Sequence, residues 1–291
     1  MKEKLQDIKS LYPFEPKEFT AKSGHRLSYV DEGKGEPMLM VHGNPTWSFF
    51  YRELIKEFSN KRRTVALDNI GCGLSDKPQD YDYTLENHIN NLEQLVLELD
   101  LTNITLCVHD WGGAIGHGVA VRHPERFKRI VVFNTAAFRS QNIPKRIALC
   151  RVPLFGKLAV RGFNAFAGSA TFMTTVTPLS DEIKKGFLLP YNNWENRIAT
   201  HEFVVDIPLE QNHRSYATLR AVEEGLEKLK DLPMTIIWGK HDWCFDHTFL
   251  KRWQELFPNA KVHEMDAGHY LLEDKGKEII DLIKDFIKNT N

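Results

Sequence analysis

An α/β fold is the architecture this sequence predicts, with a mostly parallel, doubly wound sheet and an inserted helical cap. Three observations carry that expectation. Short apolar runs of strand length alternate with helical patterns up to about Phe133. The alternation stops from about Phe138 to Asn212, where several helical patterns and many aromatic residues follow one another with no clear strand. It resumes at Met234, and strands spaced by helices in this way argue for parallel pairing. The expected divisions are a first part of the sheet domain over 1–137, a cap over 138–212 and a second part over 213–291.

Taken in order, Phe19-Thr20 and Leu27-Ser28-Tyr29-Val30 flank Ser23-Gly24-His25 and read as an opening β-hairpin. Pro37 to Val41 is a strand-length apolar run that ends at His42-Gly43-Asn44-Pro45. An amphipathic helix is expected from Ser48 to Phe58, then a strand at Thr64-Val65-Ala66-Leu67. The loop Asp68 to Ser75 bears two glycines but lacks the third one of a dinucleotide fingerprint, which argues against a phosphate cradle. Thr84 to Leu99 places Leu85, Leu92, Leu95, Val96 and Leu99 on one helical face, with Thr84 as candidate cap. Ile104 to Val108 reads as a buried parallel strand, Gly112 to about Arg122 as a helix, and Arg129 to Phe133 as another strand. Beyond the cap come strands at Met234–Trp238 and Lys261–Met265 and a last helix over about Leu271 to Ile287.

Composition bounds the function. The 291 residues are 42% hydrophobic and 26% charged, ordinary for a globular chain with one large core. A net charge of −1 supplies no bulk basic field for nucleic acid. No window approaches the apolar length of a transmembrane helix, and residues 1–16 show no apolar signal segment. Cys72, Cys107, Cys150 and Cys244 are scattered without a CxxC pair, which favours reduced thiols in a cytoplasmic protein over disulfides or a zinc site.

The chemistry centres on Cys107-Val108-His109-Asp110-Trp111-Gly112-Gly113. Between a strand and a helix it repeats the frame small-x-nucleophile-x-Gly, the nucleophile elbow of the α/β-hydrolase class, with Asp110 in the serine's place. A helix N-terminus beside the reacting atom adds N–H groups and positive potential. The plainer reading is an Asp capping a helix. Later strand ends lower its weight: one leads into Gly239-Lys240-His241-Asp242 and the next into Ala267-Gly268-His269. The order Asp110, Asp242, His269 is the hydrolase order nucleophile, acid, histidine, in which Asp242 fixes the tautomer of His269 and His269 activates water against a covalent ester. Asp246 is a nearby competitor for the acid, and Asn134, at the end of the preceding strand, cannot ionise. Backbone N–H groups of Asn44 and Trp111 are expected to form the oxyanion hole, and their side chains add two donors suited to a leaving anion.

Together these residues resemble the haloalkane dehalogenase branch of the α/β-hydrolases over essentially the whole chain, and the Asn–Trp pair with its late acid resembles the third dehalogenase subfamily. The stretches Asn134–Phe138, Phe163-Asn164-Ala165-Phe166, Tyr191–Arg197, Asp206–Leu209, Trp243–Asp246 and His269–Asp274 are more narrowly similar to OleB-type cis-β-lactone decarboxylases. That resemblance implies conversion of cis-3,4-dialkyl-oxetan-2-ones to cis-alkenes and carbon dioxide, with no metal or organic cofactor. It implies a small hydrophobic substrate and company with other enzymes of head-to-head olefin synthesis. Phe163, Phe166 and Trp194 are its candidate pocket residues. Arg197 is a candidate anchor for a developing carboxylate, against the plainer reading of an exposed cap arginine. A haloalkane dehalogenase needs the same five site residues and is the alternative. An epoxide hydrolase is disfavoured, because Tyr191 is the only tyrosine between Phe138 and Asn212.

Overall fold

The computed structural model describes residues 2–290; the terminal positions 1 and 291 of the expected sheet segments lie outside the described residues. Its strands are β1 (Lys17–Thr20), β2 (Arg26–Glu32), β3 (Pro37–Val41), β4 (Arg63–Leu67), β5 (Ile104–Asp110), β6 (Phe127–Thr135), β7 (Met234–Gly239) and β8 (Lys261–Met265). They form one sheet in the order β1-β2-β4-β3-β5-β6-β7-β8. The β1–β2 and β2–β4 pairs are antiparallel, and every pair from β4 through β3 to β8 is parallel. The expected hairpin is present, with Phe19 opposite Leu27.

The central strands are continuous apolar runs because helices cover both faces of the sheet. All seven residues of β5 and all five of β3 are buried. The pleat sends Ile104, Leu106 and Val108 into one cluster and Cys107 into the other. The first cluster receives α2 (Leu85–Glu98), α3 (Gly112–Arg122), α9 (Tyr216–Gly225) and α10 (His247–Leu256); the second receives α1 (Arg52–Phe58) and α11 (Leu271–Asn289). Thr84 caps α2, its hydroxyl accepting from Asn87 N–H.

The helix expected from Ser48 begins as a 3-10 turn, Ser48–Tyr51, and becomes α-helical only at Arg52. Aromatic packing explains the tight turn: Phe49 lies stacked on Trp47 at 5.5 Å, and Phe50 packs on His109. The loop after β4 is organised around the buried Asp68, whose carboxylate accepts from Ser48 N–H at 2.8 Å and Leu74 N–H at 2.9 Å. Those donors are the protein's own, so the glycines here serve a turn. On that second face a buried Arg52–Glu273 pair, bonded at 2.5 and 2.7 Å, ties α1 to the start of α11.

From β6 to β7 the chain is helical: α4 (Lys145–Cys150), α5 (Phe155–Lys157) continuing as a π-turn (Leu158–Gly162), α6 (Ala165–Met173), α7 (Asp181–Leu188), α8 (Ile198–Val205) and then α9. No described helix is long and apolar enough to cross a membrane.

Candidate active site

Asp110, the loop 42–45, Asp242 and His269 all follow carboxyl ends of parallel strands, where open α/β sheets collect their functional groups. Asp110 closes β5 with φ of +51°, a left-handed conformation that costs a non-glycine residue on the order of 1 kcal/mol or more. Two glycines make room for it. A Cβ on Gly43 would collide with the Asp110 side chain, and one on Gly112 would strike the Val41 carbonyl.

The Asn44 backbone N–H donates to Oδ1 of Asp110 at 2.6 Å, and the Trp111 N–H also bonds to this carboxylate. The loop that presents Asn44 is held by His42. Its Nδ1–H donates to the Gly43 carbonyl at 2.8 Å and its Nε2 accepts from Asn69 N–H at 2.9 Å. Burial pushes the His42 pKa down to about 4, so this ring is a neutral strut.

On the other side His269 Nδ1–H donates to Oδ2 of Asp242 at 2.7 Å. The second oxygen of Asp242 accepts from the backbone N–H groups of Cys244, at 2.7 Å, and Phe245, at 3.1 Å. The bond at Nδ1 fixes the tautomer and turns Nε2 toward Oδ2 of Asp110, 3.7 Å away. Burial pulls the His269 pKa down, but the Asp242 carboxylate, with Asp110 behind it, outweighs burial and leaves it raised. Burial pushes the Asp110 carboxyl up; the His269 charge and the two N–H donors restrain the rise without cancelling it.

Asp246 is spent elsewhere, capping α10 by accepting from Thr248 N–H at 2.9 Å. Asn134 clamps two strands, its amide donating to the Gly239 carbonyl at 3.1 Å and accepting from Gly239 N–H at 2.7 Å.

A cavity of about 260 Å³ is lined by Asp110, Asn44, Trp111 and His269, and by apolar cap residues including Ile147, Phe166, Met173 and Val204. The Asn44 side-chain N–H₂ gives one hydrogen to the Thr200 carbonyl at 3.0 Å, leaving the other free to point elsewhere. The indole N–H of Trp111 has no acceptor among the described residues. Tyrosine is absent from this lining; Tyr191 is buried and its hydroxyl donates to the Thr46 carbonyl. Among the described residues no three His, Cys, Asp or Glu side chains converge as metal ligands would, and all four cysteines are free.

Three of the four expected pocket residues stand outside the cavity lining. Phe163 is 84% exposed and outside the cavity lining, because it ends the π-turn and Asn164 then bends the chain through a left-handed conformation before α6 carries Phe166 inward. Trp194 lies 4.6 Å beneath the Arg161 guanidinium, away from the lining. Arg197 donates to the carbonyls of Tyr191, Arg161 and Gly162, which makes it an internal brace of the helical segment between β6 and β7.

Two neighbours of the site were not assigned a role from sequence. His109 stacks on Phe50 at 4.3 Å and its Nε2–H donates to the His269 carbonyl at 2.9 Å; burial keeps its pKa well below the usual range. Phe245 lies parallel to the His269 ring at 5.7 Å. His109 sits next to Asp110 in sequence, the one local signal that points to it.

Comparison with known proteins agrees with this geometry. Residues 36–276 match the alpha/beta hydrolase fold family. The chain is 46% identical to the cis-3-alkyl-4-alkyloxetan-2-one decarboxylase of Shewanella oneidensis, covering 97% of this chain and 91% of that one. It is 39% identical to the enzyme of the same name from Xanthomonas campestris, covering 95% and 97%. The crystal structure of the haloalkane dehalogenase DatA from Agrobacterium tumefaciens superposes with a TM-score of 0.85 at 27% identity, over 95% of this chain and 97% of that one. The chain therefore belongs to the α/β-hydrolases and, within them, to the family of the cis-3-alkyl-4-alkyloxetan-2-one decarboxylases.

Proposed function

We propose that this chain converts cis-3,4-dialkyl-oxetan-2-ones to cis-alkenes and carbon dioxide, with Asp110 as nucleophile. The observation that carries the reading is a buried carboxylate, fixed by two backbone N–H groups, facing an apolar cavity whose lining includes an indole N–H without an acceptor among the described residues. Oδ2 of Asp110 attacks C4, the alkyl-bearing ring carbon bonded to the ring oxygen. That C–O bond breaks with inversion, and its electron pair leaves on a carboxylate. The amide of Asn44 and the indole of Trp111 donate to this departing anion.

The carboxylate then loses carbon dioxide. Its C–C electron pair becomes the double bond and expels Asp110 with its original oxygen. Inversion followed by anti elimination returns the two alkyl groups to one side, which accounts for a cis product from a cis lactone. Water is not consumed and no proton is transferred. His269, held by Asp242, serves to keep Asp110 ionised against the pull of burial. The cap, over 138–212, takes the alkyl arms, each methylene buried contributing about 0.8 kcal/mol. Four free cysteines suit the reducing cytoplasm, in the company of the other enzymes of head-to-head olefin synthesis.

The second reading, haloalkane dehalogenation, is favoured by the same Asn44–Trp111 pair beside Asp110. There a halide leaves, and His269 takes a proton from the water that hydrolyses the ester. Turnover in ¹⁸O-labelled water separates the two. The lactone should yield alkene with no β-hydroxy acid, and the peptide holding Asp110 should stay unlabelled. Label in Asp110 after lactone turnover would show the ester hydrolysed, and the decarboxylase mechanism would fall.

A further inference from the structure

Among the described residues ten large hydrophobic side chains stand exposed, and eight of them lie between Leu149 and Val176. Leu154 is 72% exposed, Phe163 84% and Phe172 73%. Their backbone is arranged to hold them out. Leu154 sits at φ of +63°, in a turn where Phe155 N–H donates to the Pro153 carbonyl at 2.7 Å. Arg197 clamps the carbonyls of Arg161 and Gly162, immediately before Phe163, at 2.7 and 3.1 Å. So many exposed apolar side chains on one short stretch mark an interaction face.

The same stretch is cationic. Residues 138–180 contain six Lys and Arg and no Asp or Glu, in a chain of net charge −1. Lys145, Arg146 and Lys157 are exposed, and none of the three pairs with a carboxylate among the described residues. Arg146 and Trp243 stand beside one another, 5.8 Å from guanidinium carbon to ring, and both also line the active-site cavity. The cavity therefore reaches the surface at the edge of this apolar, basic face.

We propose that the outer face of the cap, from Lys145 to Val176, docks on the surface of an anionic lipid bilayer and draws its substrate from it. The proposal rests on the decarboxylase reading only for the nature of the cargo, a lactone with two long alkyl arms. Protruding Leu and Phe side chains among lysines are the composition of an interfacial anchor, in which apolar insertion and attraction to anionic headgroups add. Residues 138–180 contribute no carboxylate, and Asp181 just beyond them is paired with Lys184, whose ammonium lies 4.8 Å over the Phe172 ring. A substrate dissolved in the bilayer would meet the cavity mouth without crossing water.

Flotation of the full chain with vesicles, in the absence of substrate, tests this apart from catalysis. Vesicles of equal parts phosphatidylglycerol and phosphatidylcholine should carry the protein, and pure phosphatidylcholine should carry roughly tenfold less, as should the mixed vesicles at high salt. Leu154→Ser/Phe163→Ser/Phe172→Ser should lower partitioning roughly tenfold or more with an unchanged melting curve. Lys145→Glu/Lys157→Glu, which leaves every apolar contact in place, should do the same and serves if the triple variant does not fold. Equal flotation of wild type and both variants would overturn the proposal. So would failure to bind anionic vesicles together with concentration-dependent self-association abolished by the triple variant, which would assign the face to a second copy of the chain.

Discussion

Nε2 of His269 stands 3.7 Å from Oδ2 of Asp110, beyond hydrogen-bond reach and well inside the range of charge attraction. The two rings of contact around it, Asp242 behind and Asp110 in front, both favour the imidazolium. One site can therefore use this histidine in two ways, as a fixed cation or as a base.

The pH profile distinguishes them. The His269 pKa is raised, so the cation is present below that value and is lost as pH rises through it. Lactone decarboxylation should fall on this alkaline limb, above the ordinary histidine range near about 6.5. Hydrolysis of a 1-bromoalkane, which needs the neutral base, should rise over the same limb. On the acid side both should fall as Asp110 protonates, at a pH above the ordinary carboxylate range because burial raises its pKa. Parallel alkaline limbs for both substrates, in kcat/KM against pH, would contradict the cationic role.

Asp242→Asn keeps the acceptor shape but removes the charge that holds His269 protonated. Turnover of the lactone should drop roughly 10²- to 10⁴-fold, the range seen when a triad acid is neutralised. Its alkaline limb should also move to lower pH, a shift that simple disturbance of packing would not produce. Steady-state kinetics on the purified variant checks both.

Asn44→Ala and Trp111→Phe should each slow turnover by roughly 10²-fold or more, through loss of a donor to the departing anion. Added halide should quench tryptophan fluorescence in the wild type and quench it less in Trp111→Phe. Unchanged rates in both variants would remove these side chains from the mechanism.

The Arg52–Glu273 pair makes a stability prediction remote from the chemistry. Both side chains are nearly inaccessible, at 4% and 5%. Glu273→Ala should therefore cost about 3–5 kcal/mol, by leaving a buried guanidinium with only the exposed Glu53 carboxylate, 3.5 Å from its Nε, as a charge partner. Arg52→Met/Glu273→Leu should recover much of that loss, as apolar replacement of a buried pair often does. Urea denaturation of the three proteins measures it.

The strands and the elbow were legible because burial on both sheet faces writes an uninterrupted apolar run, and because a turn as tight as the one at Asp110 needs small neighbours. The convergence of Asp110, Asp242 and His269 was readable from three strand ends, even though the first two stand 132 positions apart. Similarity in the cap stretches could not show direction. Phe163 and Phe166 are three residues apart and point opposite ways, because the chain turns at a left-handed Asn164 between the end of the π-turn and the start of α6. Arg197 reads as an anion anchor until its guanidinium is seen bonded to three backbone carbonyls. His109 carries no legible signal beyond its place next to Asp110, because burial makes it neutral and its contribution lies in a ring contact and one hydrogen bond that no local pattern encodes. The 3-10 start at Ser48 depends on aromatic packing between distant residues, so helical periodicity missed it.

The most direct measurement is gas chromatography of a long-chain cis-3,4-dialkyl-oxetan-2-one incubated with wild type and with Asp110→Asn, beside a 1-bromoalkane incubated with the same wild-type preparation. Wild type is expected to give the cis-alkene, with halide release slow at best, and Asp110→Asn is expected to leave the lactone intact. An untouched lactone beside rapid halide release would contradict the decarboxylase account and leave a dehalogenase built on the same residues.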